Sequence, residues 1–205
     1  MKSEINVIEI KLNEIEQAAN VLANAFKNDP LMQWIFGDNQ SYEEKSMPIY
    51  KTWVKYAVLY GKAIRTNQFE AVALRKKPGD LKEGSWRLFR SGMLKTPSIM
   101  GQESFDRLME FHHLVTEERK KQMGNKLFWY CWMLGTNPAH QKMGFGGALV
   151  RYTERLQKET NLPCYLETAS TFAIQVHLRH GFKVLSETPL PQSDIVITAM
   201  LRESA

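Results

Sequence analysis

One stretch of this chain limits its fold more than any other: an apolar run closed by a turn and a glycine-rich helix start. Leu127 to Leu134 is unbroken in apolar and aromatic residues, the pattern of a strand covered on both faces. Gly135 to Pro138 ends it, and Gln141-Lys142-Met143-Gly144-Phe145-Gly146-Gly147 then opens a helix. Phe145, Leu149, Tyr152 and Leu156 share one stripe of that helix, with Arg151, Glu154, Lys158 and Glu159 largely elsewhere. Asn161-Leu162-Pro163 stops it. Cys164 to Ala169 is the next expected strand and Thr171 to His180 a short helix, with Gly181 as its C-cap. Two strands, Phe182 to Leu185 and Ile195 to Leu201, close the chain around a loop containing Pro189 and Pro191. Strand and helix alternate, which implies an α/β core.

The first half is more helical. Ile5 to Leu12 reads as a strand, and Asn13 with Glu16 as a capping box for an amphipathic helix to about Asn28. Asp29-Pro30 breaks the chain before a short helix at Leu31 to Phe36, and a longer one spans Tyr42 to Tyr60. Strands are expected near Ala63 to Asn67 and Glu70 to Arg75. Ser85 to Gly124 reads as helical, divided by Gly92, Pro97 and Gly101. His112 and His113 diverge by about 100° on that helix, so they make no paired metal site and read as surface or partly packed groups.

A length of 205 residues suits one domain. The net charge of +5 mildly favours anionic ligands. Its basic residues are scattered, and the runs Arg75-Lys76-Lys77 and Arg119-Lys120-Lys121 read as solvated faces, which argues against nucleic acid. Cys131 and Cys164 lie in apolar runs outside any CxxC pair, and no histidine cluster stands at zinc spacing. They read as reduced core residues, and no metal is expected. The opening residues carry no signal-peptide pattern and no apolar stretch would span a bilayer, so the expected location is cytoplasmic, away from membranes.

The glycine-rich start carries the chemistry. A helix N-terminus leaves backbone N–H groups without partners, and its dipole favours negative charge. Glycines at 144 and 146 let a phosphate approach the chain closely. The triphosphate pattern GxxxxGK[ST] is absent, and the dinucleotide pattern fails at its third glycine, where Leu149 stands.

Gln141 to Gly146 resembles the Q/R-x-x-G-x-G/A signature of the GNAT superfamily of N-acetyltransferases, with Pro138 and Leu149 in their usual places. Ala173-Ile174, His177 and Gly181-Phe182 resemble the family's later segment. Tyr165-Leu166-Glu167-Thr168, with Ala23 to Phe26, Asp29-Pro30 and Trp34, is similar to the branch of puromycin acetyltransferase-like enzymes. The resemblance implies a mixed, splayed central β-sheet flanked by helices, opening between the strands at 127–136 and 164–169. Residues 1–125 would supply mainly acceptor-side helices and the first strands, and 126–205 the acetyl-CoA-binding core of one domain. Acetyl-CoA would lie in the cleft. Its pantetheine arm would pair with backbone near Met133, Leu134, Gly135 and Thr136, and its pyrophosphate with the amides of Gln141, Lys142, Met143, Gly144, Phe145, Gly146 and Gly147.

The family's usual tyrosine, which serves the departing thiolate, is replaced by His177, and its usual asparagine by Ser170. With an unperturbed pKa near 6.5, a histidine is able to donate a proton to a thiolate. It also fits as a structural contact. Glu167 is the carboxylate expected to take the amine's proton, unless it points to solvent; Tyr130 is a second wall candidate better suited to packing. Trp34, Trp53, Tyr56, Tyr60 and Trp86 either line an acceptor pocket, which would favour an apolar or aromatic amine, or form core. Three readings stay open: a small-molecule N-acetyltransferase, a peptide or protein N-acetyltransferase, and a non-catalytic acyl-CoA-binding sensor. Monomer and homodimer are both compatible with the sequence.

Overall fold

The computed structural model describes residues 5–37 and 39–204, with the side chain of Asn39 excluded. Its elements follow the alternation expected from the sequence. In chain order they are β1 (Val7–Glu9), α1 (Ile15–Phe26), α2 (Pro30–Phe36), α3 (Asn39–Tyr60), β2 (Lys62–Thr66), β3 (Ala71–Lys76), α4 (Ser85–Ser91), α5 (Thr96–Met100), α6 (Gln102–Met123), β4 (Trp129–Thr136), α7 (Phe145–Thr160), β5 (Cys164–Thr168), α8 (Thr171–Arg179), β6 (Lys183–Pro189) and β7 (Val196–Arg202). Short 3-10 turns precede α1, α5 and α7.

The strands form one seven-stranded sheet in the order β1-β2-β3-β4-β5-β7-β6. Every neighbouring pair is antiparallel except β4 with β5. That parallel pair holds register only at Trp129↔Cys164 and Tyr130↔Tyr165, and beyond it the strands part. This is the splayed sheet expected from the sequence, with the fork at the expected place.

Alternation along the strands assigns the two faces. Val72 and Leu74 of β3 pack with the residues of α1 and α3, whereas Ala71 and Ala73 pack with Leu149 of α7. With both faces covered, all of β3 is buried. On β4 and β5, Tyr130 and Tyr165 join Met123 of α6, while Trp129, Cys164 and Leu166 join Val150 and Leu156 of α7. Gly135 allows the close seat of α1, since a Cβ there would lie 2.8 Å from the Ala25 Cβ and 3.1 Å from Leu22 Cδ2.

Three local expectations are corrected. The first helix is not boxed by Asn13 and Glu16: the Lys11 N–H donates to Glu14 Oε2 at 2.9 Å, because a 3-10 turn at Leu12–Glu14 precedes α1. Pro97 does not divide the 85–123 region; it sits in the first turn of α5, where its missing N–H costs nothing. The two basic runs are not wholly solvated faces. Arg75 and Lys76 are buried, and the Arg119 side chain is 11% exposed. Strand and helix alternation turns these three inward while Lys77, Lys120 and Lys121 remain outside the core. Among the described residues, no helix is long and apolar enough to cross a membrane, and no cluster of side chains has a metal-holding arrangement.

Candidate active site

A β-bulge in β4 sets the geometry of the fork. Leu74 pairs with Met133 but Arg75 pairs with Cys131, so Trp132 is the extra residue. The insertion places Trp132 and Met133 on the same face, both against the α1–α3 core. It also reverses which backbone groups point across the gap. Before the bulge, the Trp129 N–H reaches toward β5, donating to Pro163 O at 2.9 Å; after it, the Asn137 N–H reaches toward β3, donating to Glu70 O at 2.8 Å. With a period of two, Leu134 and Thr136 therefore direct their N–H and C=O groups into the opening left by β5.

Next along the chain comes the glycine-rich turn. Lys142 and Gly144 take positive φ values of 63° and 95°, which curve the backbone into a concavity lined by successive amides. Gly144 is the N-cap of α7, and the first intrahelical bond is Ala148 N–H to Gly144 O at 3.0 Å. The N–H groups from Phe145 to Gly147 thus have no helical acceptor. A Cβ on Gly146 would meet Thr136 Oγ1 at 3.0 Å, so the absence of a side chain keeps the passage from strand to turn clear. The turn is open to solvent from Gln141 to Gly144.

One cavity of about 1460 Å³ connects these parts, lined by Met133 to Thr136, by Gln141 and Lys142, and by Gly144 to Gly147. Met143 was expected to contribute its backbone amide. It is not on the wall, and its side chain points outward, 61% exposed. The cavity passes through the fork. Arg75, Cys131, Leu166 and His177 line it, as do Lys76, Tyr130, Glu167 and residues of α6.

The α6 face carries a polar wall. Glu167 is turned inward, its side chain 2% exposed and paired with Arg119 at 3.1 Å. Arg119 also stacks over the Tyr130 ring at 4.1 Å. Burial raises the Glu167 carboxyl above its usual range, against the opposing pull of Arg119 and the Tyr130 hydroxyl. Lys76 pairs with Glu83 and lies over the Trp132 ring at 4.6 Å; burial lowers its affinity for the proton. His112 also lines this wall while remaining at the surface, as a partly packed group whose pKa burial lowers. The phase of α6 decides which of the two adjacent histidines faces the cavity, and the sequence leaves that phase open.

On the α7–α8 face, Arg75 is fully buried, with Nη1 donating to Met133 O at 2.9 Å and Nε to Thr153 Oγ1 at 3.1 Å. His177 packs edge-on to Phe182, ring centroids 5.1 Å apart, and its buried Nδ1 has no hydrogen-bond partner. Burial, reinforced by Arg75 and His180, depresses its pKa to about 4. Ser170 at the former asparagine position caps α8, accepting from the Ala173 N–H at 3.3 Å. The two cysteines are free thiols with Sγ atoms 3.1 Å apart at the closed end of the fork. Of the five aromatic residues suggested for an acceptor pocket, only Trp53 is on the cavity wall; Tyr56 is core and Trp86 is 68% exposed.

Residues 108–182 match the acetyltransferase (GNAT) family. A histone acetyltransferase HPA2 and related acetyltransferase from Corynebacterium glutamicum superposes with a TM-score of 0.72 at 20% identity, over 98% of this chain and 97% of that one. The fold is that of the GNAT acetyltransferases. Arylalkylamine N-acetyltransferase 2 from Aedes aegypti shares the GNAT fold with a TM-score of 0.71 at 12% identity, over 99% of this chain and 100% of the other. A polyamine N-acetyltransferase from Drosophila melanogaster, which forms N-acetylagmatine, gives 0.71 at 11% identity, over 98% and 100%. No curated protein matches by sequence. Together the family match and the GNAT fold support an acetyltransferase.

Proposed function

We propose that this protein transfers acetyl from acetyl-CoA to the primary amine of a small molecule, both substrates being bound together. The observation that carries the reading is the continuity of one cavity from the amide-lined turn at 141–147, along Leu134 and Thr136, to the polar wall of α6. The turn suits a pyrophosphate, because its donors are backbone amides at a helix start. The exposed edge of β4 suits the amides of a pantetheine arm, which would add to it as a strand.

With the thioester at the fork, the amine reaches it from the α6 face. Glu167 takes the ammonium proton, directly or through water, and desolvation strengthens its hold on that proton. The nitrogen lone pair forms the C–N bond, and the carbonyl oxygen gathers charge opposite a β4 N–H at Leu134 or Thr136. The C–S bond then breaks, and the second proton that the nitrogen loses on becoming an amide passes through water to the departing thiolate. His177, neutral at its depressed pKa, donates a hydrogen bond to the leaving sulfur instead of supplying a proton as imidazolium. Holding both substrates in one cavity contributes to the rate by fixing their approach.

The motifs at 23–34 and 165–168 favour the puromycin acetyltransferase-like branch, and a cytoplasmic monomer or homodimer with no metal fits this reading. Two measurements test it: acetyl-CoA should raise the melting temperature, and free thiol should appear with amines. Thermal protection without thiol release from any amine would turn the assignment to an acyl-CoA sensor. Turnover of peptides alone would turn it to a peptide N-acetyltransferase.

A further inference from the structure

The acceptor half of the cavity is far less polar than its inner wall. Leu31, Leu88, Met93, Leu94, Phe105 and Met109, drawn from α2, α4, the turn at 93–95 and α6, line it. The whole cavity, turn and acceptor half together, has a volume of about 1460 Å³, above the roughly 300–1,000 Å³ of a site for one small ligand. The apolar lining also continues to the surface. Leu94 and Met109 are both on the wall and exposed, at 53% and 43%. Beside them on α4, Trp86 and Phe89 stack in the open, centroids 5.7 Å apart and 68% and 63% exposed.

The charges of the inner wall are already matched, Lys76 with Glu83 and Arg119 with Glu167. An acceptor with several ammonium groups would find no row of free carboxylates on this wall. A single amine on an apolar body would place its nitrogen near Glu167 and its body along the lining.

The geometry points to amphiphilic primary amines, a lone amino group on an extended hydrocarbon body, as the acceptor class; the apolar channel between α2, α4 and α6 is their subsite. This rests on the acetyl-transfer reading and narrows it. Burying one more methylene contributes about 0.8 kcal/mol, so kcat/KM should rise about fourfold per carbon added.

Linear amines from butylamine to decylamine, below their micelle-forming concentrations, test this with thiol release as the readout. The expected result is a steep rise with chain length, with agmatine and spermidine below the long amines. Leu94→Asp and Met109→Asp should flatten the series. Turnover without gain in chain length overturns the amphiphile subsite and leaves acetyl transfer standing. Protection of the folded protein by the same amines, with CoA present, reads the channel without turnover. A melting temperature that climbs with chain length in the parent chain but not in the two variants supports the subsite; a flat series overturns it, whatever the thiol assay gives.

Discussion

Arg75 donates from Nη1 to the carbonyl of Met133 at 2.9 Å, and that carbonyl belongs to the same peptide unit as the Leu134 N–H. In a trans peptide the two groups point in opposite directions. Arg75 therefore holds the Leu134 N–H toward the fork. No carboxylate among the described residues pairs with this buried guanidinium; its fixed partners are Thr153 Oγ1 and the carbonyls of Leu74 and Met133.

Arg75→Met should release this peptide and lower kcat by about tenfold or more, as expected when a preorganised donor loses its aim. Arg75→Lys keeps a donor and should recover part of the loss. Steady-state kinetics with both variants would settle the point. An Arg75→Met enzyme with unaltered kcat would show that the peptide needs no such support.

Gly135→Ala is expected to destabilise the fold by about 1–3 kcal/mol through overpacking. The new methyl would lie 2.8 Å from the Ala25 Cβ and 3.1 Å from Leu22 Cδ2, and α1 would have to lift off β4. Urea denaturation would report a lower midpoint. An unchanged midpoint would mean that α1 is seated more loosely than its contacts indicate.

Glu167 neutralises Arg119 and, in the proposed reaction, takes the amine's proton; a pair of variants separates the two. Glu167→Gln leaves Arg119 buried without its counter-charge, which should cost about 3–5 kcal/mol. Combining Glu167→Gln with Arg119→Met removes the stranded charge and should recover stability. Acetyl transfer should stay low in the double variant. If activity returns along with stability, Glu167 serves only to neutralise Arg119.

His177 predicts a signature in acid. Its folded-state pKa of about 4 lies below the unfolded value near 6.5, so the unfolded chain binds the proton first. Its contribution to stability is therefore complete above about pH 6.5 and is lost as the pH falls toward 4. The loss should be on the order of 2 kcal/mol, allowing for solvent on its open side. His177→Gln should be less acid-sensitive in that window. Parallel denaturation curves at pH 7 and pH 4.5 would test this; equal losses in both proteins would contradict it.

The C-terminal part of the fold was legible in the chain, because its determinants are local. Glycines at 144 and 146, a breaker at 161–163 and an apolar run covered on both faces each act within a turn or a strand. The bulge at Trp132 was not legible, since one extra residue inside a uniformly apolar run leaves no mark in composition. Nor was the acceptor wall. The residues marked 85–124 as helical without fixing the phase of α6, so Arg119 was assigned to a solvated face. Lys76 looked like part of a charged surface because its neighbours are charged, yet the aromatic rings of Tyr56 and Trp132 that cover it are remote in sequence. Glu167 was placed on the right strand, and the face it shows was fixed only by the tertiary pairing with Arg119.

The added residue at Trp132 gives the β4 edge its meaning. Delete it and every later amide of the strand would swap sides, turning the row that now faces the opening toward β3 and handing β3's partners to the opening. Exchanging the side chain of Leu134 or Thr136 leaves the direction of these amides unchanged, whereas a change in residue count here would scramble the address at once. Recognition of this kind is stored in arithmetic, not in chemical identity.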